Sequence, residues 1–170
     1  HDVEIGKQCL IDSGSVIGSD GFGLVKQNNS YHKMPHIGGI IIKDNVWIGA
    51  NCCIDRGTLS NTFIGNGTKL DNLVHIAHNV QIGKNCVIAA QVGIAGSTIL
   101  EDNVTLAGQV GIVGHLTIGK GSIVAAKSAV FQSLESNSFV SGIPARDHKQ
   151  NLKLNALFNK LDFLYEKLKK

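Results

Sequence analysis

From Ile64 to Val130 every sixth residue is aliphatic, without a miss: Ile64, Leu70, Ile76, Ile82, Ile88, Ile94, Leu100, Leu106, Ile112, Ile118, Val124 and Val130. An amphipathic helix repeats its apolar positions about every 3.6 residues and a half-buried strand about every 2, so a strict period of six belongs to neither. It describes a short strand followed by a turn, with three such hexads closing one triangular coil. The pattern predicts an all-β solenoid, specifically a left-handed parallel β-helix of hexapeptide repeats. The left hand is usual for this repeat class and departs from the right-handed crossover rule.

The rest of each hexad agrees. Two residues before each aliphatic stand Thr62, Thr68, Val74, Val80, Cys86, Val92, Thr98, Val104, Val110, Leu116, Ser122 and Ser128, which apart from Leu116 suit a second inward position in a narrow prism. Directly after the aliphatic come Gly65, Gly83 and Gly119, or Ala77, Ala89, Ala95, Ala107 and Ala125, read as a tight corner with a permissive backbone.

The register breaks twice. Ile42, Ile48 and Ile54 share a phase, but the step to Ile64 is ten residues, so four extra residues are expected to bulge out near Arg56–Ser60. Ile5, Ile11 and Ile17 form an earlier phase, separated by a stretch without hexads, Ser19–His36, from a repeat expected to resume near Ile37. Loops thrown out of a regular solenoid are where such proteins bind ligands.

The prism is expected to span residues 1–144, followed by a helical tail at 145–170. There Leu154, Leu157, Leu161, Leu164 and Leu168 follow a 3,4,3,4 heptad spacing. So short a seam calls for packing against copies of itself or back on the prism, and either reading favours an oligomer, a parallel homotrimer being usual for such prisms. No apolar run approaches the roughly 20 residues of a membrane span, and the protein is expected to be cytoplasmic. Four cysteines occur without a CxxC pair, and Cys9, Cys52 and Cys86 fall at the small inward position, which reads as core packing in a reducing compartment without structural zinc. Net charge is +3, and seven basic residues (Arg146, Lys149, Lys153, Lys160, Lys167, Lys169, Lys170) against three acidic gather in the tail, suggesting an acidic partner. Aromatics make up only 5%, so there is no stacking platform for nucleic acid.

Seven histidines occur. His78 follows Ile76 in an Ala77-His78-Asn79 corner, and His115 follows Gly114 in the corresponding region two coils on, roughly 10 Å along the axis if coils stack at about 4.8 Å. His75 should point outward and could line the same cleft; His1, His32, His36 and His148 carry no argument. Gly96 lies one coil after His78, directly above or below it.

The segments GSDGFG at 18–23, PHIGG at 35–39, IDRG at 54–57, KLDNLVHIAHNV at 69–80, AAQVGIAGS at 89–97 and GHLTIG at 114–119 together resemble the UDP-3-O-acylglucosamine N-acyltransferases of lipid A synthesis, from about Ile17 to Arg146. The resemblance implies transfer of a 3-hydroxyacyl chain from acyl carrier protein, through its phosphopantetheine arm and with no cofactor, to the 2-amino group of a UDP-sugar acceptor. It implies His78 as general base with Asn79 and Asp71 beside it, the Gly96 N–H as oxyanion donor, and His115 as an aid to substrate binding. It places residues limiting acyl length around Ala129 and Phe131. These roles are chemically sensible: imidazole titrates near neutrality, and a fixed N–H stabilises an oxyanion without reorganisation. Asp71 is expected either to orient His78 or to hold a sugar group. The family's N-terminal uridine-binding domain has no counterpart in these residues, so nucleotide affinity is expected to be impaired. Four other readings use the same scaffold: an acetyl-CoA-dependent hexapeptide acetyltransferase, the related O-acyltransferase of the same pathway, a γ-type carbonic anhydrase with three imidazoles on zinc, and a non-catalytic trimeric scaffold.

Overall fold

The computed structural model describes residues 2–168, apart from the side chains at 162, 166 and 168. It is a left-handed parallel β-helix. Strands of two to four residues form three sheets, and six successive coils each contribute one strand to every sheet. The first sheet stacks Val3–Ile5, Ile40–Ile42, Thr62–Ile64, Gln81–Ile82, Ile99–Leu100 and Thr117–Ile118. The second carries Leu10–Ile11 through Ile123–Val124 and the third Val16–Ser19 through Ala129–Val130.

Register explains the hexad. Ile82 pairs with Ile64 and Leu100, and Ile76 with Ile54 and Ile94, so aliphatics one coil apart stack in columns. All twelve hexad aliphatics from Ile64 to Val130 are buried. Truncating a central one such as Ile76 to Ala is worth about 2–5 kcal/mol of stability, because a column one side chain wide cannot close over the hole. The smaller inward residues are buried too, and the polar ones among them tie corners together. Thr68 donates to the Gly83 carbonyl (3.0 Å), Ser122 to that of Glu135 (3.0 Å), and Thr62 accepts from the Asn79 N–H (3.0 Å). Cys52 and Cys86 are buried among them, their thiols pushed up by desolvation, and Cys9 is half-buried against the core.

The corner differs from the sequence reading. The left-handed backbone falls three residues after each aliphatic from Ile64 to Val124, at Gly67, Leu73, Asn79, Asn85, Gln91, Ser97, Asn103, Gln109, His115, Gly121 and Lys127, not at the Gly or Ala directly after it. Gly65, Gly83 and Gly119 are needed for space instead: a Cβ on them would lie 2.5, 2.6 and 2.4 Å from atoms of the next coil.

Both excursions are ordered. Within 19–36 an antiparallel hairpin pairs Leu24–Gln27 with Ser30–Lys33 across Asn28-Asn29, both left-handed, as a two-residue hairpin turn requires. The repeat resumes at Ile40 rather than Ile37, which is 69% exposed. The Arg56–Ser60 bulge folds back on the prism, where Arg56 is buried, donating to the Gly38 carbonyl (2.7 Å) and to Asp2 (3.0 Å).

At the other end Arg146–Asp147 pairs antiparallel with Phe139–Ser141, so the sheet continues three residues past the expected boundary. The tail is two helices, His148–Phe158 and Leu161–Leu168, not one. Asp147 caps the first by accepting from the Gln150 N–H (3.0 Å). Their junction splits the leucine seam, and Leu154, Leu157, Leu161 and Leu164 remain 41–57% exposed, so the seam does not pack back on the prism; the Leu168 side chain, Lys169 and Lys170 lie outside the described residues. No helix among the described residues is long and apolar enough to cross a membrane.

Candidate active site

The outward row of the third sheet runs Val16, Cys53, His75, Gly93, Gly111, Ala129, coil by coil. Side chains therefore vanish from this face beyond His75. A Cβ on Gly93 or Gly111 would meet nothing within 4 Å, so packing does not require glycine there, and glycine weakens a strand. The resulting trough opens onto the corner column His78, Gly96, Gly114. Together they form a cavity of about 630 Å³ whose walls include Phe22, Asp55, His75, His78, Gly96, Gly111, Val113 and Ala129.

His78 is half-buried and held on several sides. Asn79 donates through Nδ2 to Ser60 Oγ (2.7 Å), and its Oδ1 accepts from the Thr58 N–H (3.0 Å). That oxygen also lies 3.0 Å from His78 Nδ1. An amide oxygen only accepts, so Nδ1 carries the proton and Nε2 presents its lone pair. Thr58 Oγ1 stands 3.4 Å from the same Nδ1. The bulge inferred from the ten-residue step thus fixes the tautomer of the neighbouring coil's histidine. Gly96 lies against the face of the ring, over its Cε1–Nε2 bond: a Cβ there would be 2.6 Å from both atoms and 3.1 Å from Nδ1. Its neighbours bond to adjacent coils, Ala95 N–H to the Ile112 carbonyl (3.0 Å) and Ser97 N–H to that of His78 (3.0 Å), while the Gly96 N–H has no hydrogen-bond partner among the described residues. In the neutral ring this leaves a lone pair on Nε2 near an uncommitted N–H, the two groups that acyl transfer requires.

Asp55 forms the floor. It is buried, accepts from Ser19 Oγ (3.0 Å), and lies 3.8 Å from His75 Nε2. On the hairpin side Phe22 lines the cavity, and outside its lining stands a Lys33–Asp20 ion pair (2.6 Å), which holds the Asp20 carboxyl below its ordinary value.

The remaining expected site residues spread differently. Ala129 lines the far end of the cavity, whereas Phe131 is exposed and outside it. Asp71 lies on the preceding corner, exposed, accepting from its neighbour Asn72 N–H (2.7 Å); within one chain it does not orient His78, and Asn79 does. His115 occupies the left-handed position above Ser97, one column from His78, exposed and outside the cavity lining. Among the described residues no three His, Cys, Asp or Glu side chains gather at metal-ligand spacing. His36, Thr58 and Asp55 were not singled out as site residues in the sequence, although Asp55 stands in the IDRG segment and Thr58 in the expected bulge. His36 left a further sign there, standing six residues before Ile42 in the inward phase.

Residues 61–96 match the family of bacterial transferase hexapeptides (six repeats). Curated UDP-3-O-acylglucosamine N-acyltransferases align with most or all of the chain. The protein from Pseudomonas syringae pv. syringae is 47% identical over 100% of this chain and 49% of its own length, that from Wolinella succinogenes 45% over 92% and 49%, and that from Caulobacter sp. 42% over 89% and 45%. The chain thus spans about half the length of the curated relatives it matches. Among solved structures, a UDP-N-acetylglucosamine acyltransferase superposes with TM-score 0.77 at 28% identity, over 98% of this chain and 64% of that one. The Arabidopsis UDP-N-acetylglucosamine acyltransferase does so with TM-score 0.74 at 24% identity, over 90% and 60%. By homology along its length, the chain belongs to the UDP-3-O-acylglucosamine N-acyltransferase family.

Proposed function

We propose that this chain carries the chemical centre of an N-acyltransferase that moves a 3-hydroxyacyl chain from acyl carrier protein to the 2-amino group of UDP-3-O-acylglucosamine in lipid A synthesis. The observation that carries the reading is the His78–Gly96 pair, with Nε2 bare and the Gly96 N–H uncommitted. The acceptor amine attacks the thioester carbonyl and His78 Nε2 takes its proton. The carbonyl oxygen, now anionic, accepts from the Gly96 N–H. Collapse reforms the carbonyl, breaks the C–S bond, and the protonated His78 returns the proton to the departing thiolate. No cofactor is needed, the phosphopantetheine arm being part of the donor.

The bare trough from Gly93 to Ala129 suits an extended acyl chain, and Ala129 stands where its length would be read. The donor's docking site is assigned to Arg146, Lys149 and Lys153, exposed at the prism end whose Ala145 N–H bonds the Ala129 carbonyl (2.8 Å). Acyl carrier protein supplies the acidic partner. A cytoplasmic homotrimer follows from the same reading. It would cover the half-exposed apolar members Leu10, Trp47, Val87, Ile123 and Phe139 of an outward row on the second sheet that also carries Lys69 and Thr105, and bring His115 and Asp71 to a neighbouring subunit's cavity. Nucleotide recognition is assigned to an N-terminal domain outside these 170 residues.

The test is product identity. With acyl carrier protein thioester and UDP-3-O-acylglucosamine the product should be the N-acylated sugar, and acetyl-CoA should not replace the donor. An O-acylated product, or efficient use of acetyl-CoA, would overturn the reading.

A further inference from the structure

The first excursion brings a second imidazole to the site. His36 is 5% exposed and meets His78 edge to face, with ring centroids 5.4 Å apart and planes at 67°. Its Nδ1 lies 3.0 Å from the Met34 carbonyl oxygen. A carbonyl only accepts, so Nδ1 carries the proton and Nε2 has a bare lone pair. Among the described residues, that Nε2 is the buried side-chain polar atom left without a hydrogen-bond partner. An orphaned buried acceptor is destabilising, and an apolar side chain would fill the space without it, so packing alone does not account for histidine here.

The strap over the two rings is cut to fit them. A Cβ on Gly21 would lie 2.9 Å from Nε2 of His36 and 3.0 Å from Cδ2 of His78, and one on Gly23 would lie 2.9 Å from Cε1 of His36. Neither glycine has a left-handed φ, so space, not conformation, sets their identity. The Met34 N–H donates to the Gly23 carbonyl (2.9 Å), closing the strap on the segment that holds His36.

We infer that His36 is a positioning residue for His78: clamped by Met34 on one side and Gly21–Gly23 on the other, its ring holds the His78 imidazole with its Cε1–Nε2 bond against Gly96. The inference rests on reading His78 as the base. Asn79 and Thr58 secure the Nδ1 edge of that ring but leave its tilt open, and His36 closes that freedom.

The test compares His36→Asn, which keeps a donor for the Met34 carbonyl but removes the ring, with His36→Gln, whose longer amide reaches toward the position of Nε2. The Asn variant should lose about tenfold or more in kcat with both KM values within about twofold of wild type, and the Gln variant should recover part of the loss. Ring ¹⁵N shifts of His78 should report the Nδ1–H tautomer that Asn79 sets in both proteins, while the ring ¹H signals of His78 should shift and broaden in the Asn variant as its tilt is freed. Wild-type kcat and an unchanged His78 spectrum in His36→Asn would overturn the inference. So would a wild-type spectrum showing His36 as the Nε2–H tautomer, whether or not the variants fold. His78→Ala separates the two claims: if it stays active the site reading itself fails, and if it is inactive while His36→Asn is normal only the positioning role fails.

Discussion

Gly96 lies so close to His78 that a single added carbon would occupy the place of the imidazole, 2.6 Å from Cε1 and Nε2. Gly96→Ala should therefore swing the half-buried ring away from its lone-pair orientation while the coil itself survives. We expect kcat to fall about 10²-fold, the scale of losing a general base or an oxyanion donor, with melting lowered by only a few degrees. Kinetics at saturating substrate together with a thermal melt checks both halves.

Asn79 sets the tautomer, so its replacements should separate by chemistry. Asn79→Asp keeps an acceptor for Nδ1–H and tolerates the left-handed φ of 61°, and should retain most of kcat. Asn79→Ala removes the acceptor, frees the Thr58 N–H, and should lose at least about tenfold in kcat, besides up to about 1–2 kcal/mol of stability, because Ala lacks the short polar side chain whose local hydrogen bonds favour that φ. Equal activity in the two variants would remove Asn79 from the account.

Gly111 offers the reverse case, a glycine that the fold does not need. Gly111→Val should leave stability unchanged or raise it by up to about 1 kcal/mol, because a β-branched residue suits the strand and its Cβ meets nothing within 4 Å. By standing in the trough it should raise KM for a long-chain acyl donor about tenfold and spare a short-chain one. A chain-length series measured on the variant decides this.

The solenoid was legible because a period of six admits one architecture, and the twelve buried aliphatics from Ile64 to Val130 follow it. His78 and Gly96 were legible for the same reason: a spacing of one coil is a contact. What escaped lies off the period. The Asn28-Asn29 hairpin turn and the burial of His36 depend on a segment without hexads, where nothing in the repeat fixes direction. The orienting role of Asn79 depends on the Arg56–Ser60 bulge folding inward, whereas the ten-residue step shows only that a bulge exists. The helix break before Leu161 passes unseen because the 3,4 spacing runs through it, and Asn159 and Lys160 interrupt backbone rather than pattern.

Lys149 and Lys153 are exposed at the end of the prism that adjoins Ala129. Reversing both to Glu should raise the apparent KM for acyl carrier protein thioester several-fold and flatten its salt dependence, since attraction across a rim of charge is screened beyond a Debye length of about 8 Å. The acceptor KM should not move. Donor KM measured across a salt series is the check, and unchanged donor kinetics would place docking elsewhere.

The most direct test of the central claim is the rate of N-acyl transfer by His78→Ala, measured at saturating acyl carrier protein thioester and UDP-3-O-acylglucosamine on protein shown to keep its β-helix. The account predicts a fall in kcat of about 10²-fold or more. Folded His78→Ala protein turning over at close to the wild-type kcat would contradict it.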